Sequence, residues 1–304
     1  MADQMGWQSY LFVKKESTFG TPVTPDIWIP YEQCDLKANI EMYKANNYTG
    51  VRQRRAPNQP VKNHIQGTLA GDLLARQIST VSIAETIVSL AYNQPAGLAL
   101  DSWTMAKHEP NDPKIWSGVR CNALTISGTA GGPVKYSADL IGILETSGAA
   151  PSLPTTTAHG KAMLMQDCLF EVDGSAVVLD SFTLSINNAL QIYHGNSYWP
   201  TVLAAGDRVI TLSFTIRKTA TTYDVKRRAL SAADQTFEII LKGDHEGSGS
   251  DTYTTCTIAI DKMTFLDAVD QMTREQLVTQ TVTYDPIKTN TSDNDVDLTW
   301  STAA

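Results

Sequence analysis

Hydrophobic positions in this chain recur mostly at every second residue, the period of a strand with one face in a core. The clearest case is Val119 to Ile143. In its first arm Val119, Cys121, Ala123 and Thr125 alternate with Arg120, Asn122, Leu124 and Ile126. In its second arm Val134, Tyr136, Ala138 and Leu140 share a face. Gly128, Gly131, Gly132 and Pro133 lie between, so the stretch reads as a β-hairpin. A similar hairpin is expected over Thr257 to Asp285, where TIAIDKMTFLD and QLVTQTVTYD flank a polar connection.

Shorter strands are expected at Tyr10 to Val13, over 34–42, and at Gln66 to Leu74. In the second half they are expected at Leu169 to Val172, Ser175 to Leu179, Ser181 to Ile186, Asp207 to Lys218 and Phe237 to Lys242. Asp173-Gly174 suits the two-residue turn of a tight hairpin. Helical spacing is rare. Ser82 and Glu85 form a capping box ahead of Ile83, Ile87, Leu90 and Ala91, which fall on one face. A second short helix is expected at Asp224 to Ala232. Asn93 to Lys114, rich in Pro and Asn, reads as a loop.

The order strand, long loop, strand, helix, strand, strand therefore occurs twice, which makes the chain a duplication. Its expected division is an N-terminal arm over 1–33, a first domain over 34–145, a linker over 146–160, a second domain over 161–286 and a C-terminal arm over 287–304. The linker, TSGAAPSLPTTTAHG, is set apart by composition.

With 304 residues, 42% hydrophobic and 18% charged, the chain has material for two folded units. Its net charge of −8 is uneven: the first 148 residues hold 13 basic and 13 acidic side chains, the remainder 11 and 19. That sign excludes DNA binding by phosphate neutralisation, but suits a passage along which DNA slides without sticking. The segment Tyr43 to Ile65 runs the other way, with Lys44, Arg52, Arg54, Arg55 and Lys62 and no carboxylate. It reads as a long surface loop that docks on an acidic neighbour, and the tail aspartates Asp293, Asp295 and Asp297 are candidate partners.

Candidate chemistry is sparse. Cys34, Cys121, Cys168 and Cys256 are far apart and read as small hydrophobes in a reducing compartment. Gly243 to Asp251 puts Asp, His, Glu and Ser side by side. However, Gly247-Ser248-Gly249 lies between two expected strands, not on a strand-to-helix elbow. Asp293 to Asp297 imitates the start of a calcium loop but has Leu298 where glycine is needed and Ala304 where glutamate is needed. The histidines lack metal spacing. No catalytic residue, metal or cofactor is expected. No run approaches the roughly 18 apolar residues of a membrane span, and the N-terminus lacks a signal layout. Synthesis and assembly in the cytoplasm without a membrane span are expected.

The arm ESTFGTPVTP (Glu16 to Pro25), NYTGVRQ (Asn47 to Gln53), HIQGTLAGDL (His64 to Leu73), the short amphipathic helix and NALTISGTAGGPVKYSADLIG (Asn122 to Gly142) together resemble the tail tube proteins of long-tailed bacteriophages. The resemblance covers nearly the whole chain. It implies a mainly β fold: tandem tube-type β-sandwich domains, each with one short helix, whose inner strands join a ring-wide β-barrel. It also implies a structural virion protein whose rings stack through loops and arms into the channel for viral DNA. Its partners are then other copies of itself and the tape-measure, terminator and distal-tail proteins, with the virion tail as its location. Most members bring one tube domain to a hexamer. Two per chain make a homotrimer with pseudo-sixfold symmetry the expectation here. Asp35, Lys37, Asn39, Asp180, Thr183 and Asn187 are the candidate lumen-facing residues. A tail terminator, distal-tail or baseplate protein, or a carbohydrate-binding β-sandwich, are the alternatives.

Overall fold

The computed structural model describes residues 9–43, 59–74, 77–78, 81–92, 100–109, 112–148, 161–172, 174–217, 235–245, 253–271, 279–286 and 297–301. In chain order the strands of the first half are β1 (Tyr10–Lys15), β2 (Ile27–Ile29), β3 (Gln33–Cys34), β4 (Lys37–Tyr43), β5 (Gln59–Asp72), β6 (Gln77–Ile78) and β7 (Val81–Ser82). Helix α1 (Ile83–Ala91) follows, then β8 (Trp103–His108), β9 (Lys114–Thr129), β10 (Lys135–Gly142) and β11 (Leu144–Ser147). The second half begins with β12 (Leu169–Val172), β13 (Ser175–Ala176), β14 (Leu179–Asn187), β15 (Gln191–Tyr193) and β16 (Val202–Ala204). It ends with β17 (Val209–Arg217), β18 (Gln235–His245), β19 (Tyr253–Gln271), β20 (Thr279–Pro286) and β21 (Asp297–Ser301).

Strand β9 is long enough to serve two sheets. Its first residues pair with β8 and β11, and β8 in turn pairs with β1, which pairs with β2. Its later residues pair with β10 on one side and β14 on the other. From there an antiparallel sheet runs β4, β5, β10, β9, β14, β17, β20, β19, each strand bonded to the next. Strand β19 is also shared, since its first part pairs with β18 and β21. One hydrophobic cluster includes Leu11, Val13 and Ile29, the α1 residues Ile83, Ile87 and Leu90, and Leu69, Leu124 and Phe214 of the long sheet.

Helix α1 follows its apolar spacing: Ile83, Ile87, Leu90 and Ala91 are all buried. At the expected Asp-Gly hairpin, Val172 stands opposite Ser175 and Gly174 has φ 68°. The expected second helix lies outside the described residues.

Two expectations need correction. First, the Asn93 to Lys114 stretch is not loop throughout, because Trp103–His108 forms β8. Trp103, Thr104, Met105 and Ala106 are all buried, so a strand between two others shows no alternation to read. Second, the alternation through Val119 to Ile126 is not strict. Ala123 faces Asp139 while Cys121 faces Leu140, which leaves Asn122 as a bulge. The extra residue switches faces, so Val119 and Cys121 point to the core before it, and Leu124 and Ile126 after it.

Candidate functional site

The long sheet is apolar on one face and polar on the other. On the core face Leu36, Leu69, Ala138, Leu124, Leu184, Phe214 and Val282 are buried. On the opposite face stand Thr68, Asp139, Ser137, Thr125, Ser127, Ser185, Ser213, Thr215 and Thr281, all partly or fully exposed. Hydroxyls link neighbouring strands along it: Thr68 Oγ1 donates to Asp139 at 3.0 Å, and Thr215 and Thr281 meet at 3.1 Å. Threonine suits this position because its branched carbon favours the strand while its hydroxyl stays in water.

The candidate lumen residues divide on this sheet. Asp35, Lys37, Asn39, Thr183 and Asn187 are exposed, on the face away from buried Leu36, Leu184 and Ile186. Asp35 accepts a hydrogen bond from the backbone of Thr68, and Asn187 accepts one from Ala189 N at 2.9 Å. Asp180 stands apart, half-buried at the bulge between Leu179 and Ser181, where its carbonyl accepts from Ala130 N at 2.8 Å. Of the charged candidates, Lys62 is exposed on β5 and Asp297 lies in β21. Lys44, Arg52, Arg54, Arg55, Asp293 and Asp295 lie outside the described residues, as does the Gly247-Ser248-Gly249 stretch.

The residues that join β14 to β9 went unnoticed in the sequence. Ser181 to Asn187 pair with Thr129 to Ala123, which welds the second half of the chain to the first. Asn188 locks the end of that seam. It is buried, and its amide donates to Ala91 O at 2.9 Å and Cys121 O at 3.0 Å and accepts from Arg208 Nε at 3.1 Å. Arg208 lies over the Tyr92 ring. Arg120 reaches from β9 to the Leu203 carbonyl and stacks on Phe19 at 4.2 Å, and its burial lowers its pKa. A sequence signal for Asn188 did exist: it is a polar residue where Leu184 and Ile186 set up a core position.

A second buried polar centre ties down the N-terminal segment. The Glu16 carboxylate accepts from Ser102 Oγ (2.7 Å), Thr104 Oγ1 (2.8 Å), Gly118 N (2.8 Å) and Gly20 N (2.9 Å). The four cysteines are free, and burial raises the thiol pKa of Cys34 and Cys168 to about 11 and of Cys256 to about 12. No group of three metal-ligating side chains occurs among the described residues. No helix among them is long and apolar enough to cross a membrane.

Among the described residues this sheet has a core on one face, hydroxyls on the other and open edges at β4 and at residues 264–271 of β19, and open strand edges are templates for pairing with another chain. The sequence pattern of one family, described as phage tail tube protein, matches residues 6–286, nearly the whole chain. The protein belongs to the phage tail tube family. It is a structural protein of the virion tail, where the family assembles with itself and with other tail proteins. No curated protein matches it.

Proposed function

We propose that this protein is the major tail tube subunit. Three copies form a ring of six tube-type units, and the rings stack into the hollow channel through which viral DNA passes during ejection. The observation that carries this reading is the β9–β14 seam, which makes one continuous sheet from two similar halves. Strands β4, β5, β10 and β9 of the first half have counterparts in β14, β17, β20 and β19 of the second, paired in the same order. In this reading the units take the bounds 34–145 and 161–286.

The alternative of one chain closing its own barrel fails on size. A barrel of about eight strands has an interior just wide enough for side chains, which would bury the hydroxyl face. Three such sheets, at about 4.8 Å per strand and a tilt of about 40°, put opposite backbones on the order of 45–50 Å apart. That leaves room for a DNA duplex after side chains are added. A wall of Ser and Thr with few cations gives phosphates little to hold, so the duplex slides.

Stacking in this reading uses the basic segment around Lys44, Arg52, Arg54, Arg55 and Lys62 against the acidic tail at Asp293, Asp295 and Asp297. Exposed pairs are individually weak but set register between rings. Reversing Arg52, Arg54 and Arg55 to Glu then leaves rings but no tubes; unchanged tubes remove this pairing from the proposal. The test of the function itself is negative-stain electron microscopy of the purified, concentrated protein. Hollow rings or tubes with threefold class averages are expected. Isolated particles without a channel at any concentration overturn the reading.

A further inference from the structure

The seam inside the chain specifies how two chains meet. In the first half a row of core-facing residues crosses the sheet as Cys34, Leu69, Ala138, Leu124, and β14 continues it with Ile186. By backbone register the matching positions of the second half are Phe182, Phe214, Val282 and Ala268. An independent landmark fixes this match. Both shared strands carry a bulge at the same place, Asn122 in β9 and Leu266 in β19, so Ala123 corresponds to Asp267. Beyond Ala268, no strand pairs with the Thr264 to Gln271 edge of β19 among the described residues. The strand that would continue the row is the counterpart of β14, namely β3–β4. Four residues separate Phe182 from Ile186 just as they separate Cys34 from Ala38. Among the described residues, β4 is bonded only to β5.

Burial at matched positions shows what is missing. Ile186 and Asn188, covered by β9 and α1, are 1% and 2% exposed. Their counterparts Ala38 and Ile40 have no such cover: Ala38 is half-buried and Ile40 is 46% exposed. Met42, Tyr43 and Val61 beside Ile40 are exposed as well. An apolar strand edge left open in this way is a template for another chain.

We propose that β4 of one copy pairs antiparallel with β19 of a second copy at the register that β14 uses on β9. Lys37 then stands opposite Val269, Asp35 opposite Gln271 and Asn39 opposite Asp267. This rests on the tube-ring reading above and names the contact that closes the ring. The partner is a second copy, because the contact repeats one that the chain already makes with itself.

Paired cysteines test the register. Residues directly opposite in an antiparallel pair have Cα atoms about 4.5–5.5 Å apart, within disulfide range, whereas diagonal neighbours stand at about 7–8 Å. The full-length Lys37→Cys/Val269→Cys and Asp35→Cys/Gln271→Cys proteins, oxidised after assembly, should give intermolecular links that end at a closed trimer on a non-reducing gel. Peptide mapping separates these links from any made by the native cysteines. The slipped pair Lys37→Cys/Gln271→Cys should link at least tenfold less. Rings or tubes by microscopy with no link from either matched pair, or with the slipped pair preferred, overturn the register and leave the tube reading standing. Matched links without rings support the contact and overturn the tube reading. Neither links nor rings, from variants whose reduced forms melt like wild type, overturn both.

Discussion

Asn188 is where the cohesion of the two halves can be measured. Its side chain is buried, and three hydrogen bonds join the end of α1, strand β9 and Arg208. Asn188→Ala removes all three and leaves the carbonyls of Ala91 and Cys121 and the Nε of Arg208 without that partner. A buried group deprived of its partner costs about 1 kcal/mol or more, and the small cavity adds to it, so the loss sums to about 3–4 kcal/mol. In a chain of this size that corresponds to a fall in Tm of roughly 5–6 °C. Asn188→Asp sharpens the test, because it keeps the shape but replaces two donors with an acceptor-only group aimed at two carbonyl oxygens. Thermal unfolding followed by circular dichroism reads both variants. Both variants should melt below wild type. A Tm shift under about 2 °C for Asn188→Ala, or an Asp variant as stable as wild type, refutes the role given to this residue.

Three further outcomes follow from the geometry. Glu16→Ala strips the acceptor from four donors around the N-terminal segment and should cost about 3–5 kcal/mol, read as a lower urea midpoint with unchanged slope. Gly67→Ala places a Cβ 2.6 Å from the backbone N and Cα of Leu36, so the Asp35-Leu36 link that leads into β4 must move off β5. It should abolish ring formation in the microscope even where the chain still folds. Burial raises the Cys256 pKa to about 12, so the unfolded chain loses that proton first. Stability should therefore fall by about 1.4 kcal/mol per pH unit above about pH 9 from this thiol alone. Cys256→Ala should remove that share of the slope in alkaline melts.

The sequence made some elements legible and hid others for physical reasons. The hairpin of β9 and β10, the short helix and the β12–β13 hairpin depend on neighbours a few residues away, so alternation and turn chemistry expose them. Strand β8 was hidden because four successive residues are buried between β1 and β9, and a strand enclosed on all sides carries no period. The bulge at Asn122 was hidden because one extra residue looks the same as continued alternation until its partner is known. The polar face could be read as Ser and Thr at alternate positions, but which strands share it is set by pairing across the sheet. The seam itself was the least accessible. Ser181 to Asn187 meet Ala123 to Thr129 across the junction of two halves, and nothing local to either segment specifies the other. Strand β14 has a partner on both sides and β4 is bonded to β5 alone among the described residues. Ile186 is buried and Ile40 is exposed, although both occupy core-facing positions at the same edge of their halves. In the proposed ring, an apolar residue placed for burial but left open in the single chain is covered by a neighbouring copy. On that proposal the covered edge of one half describes the partner of the open edge of the other.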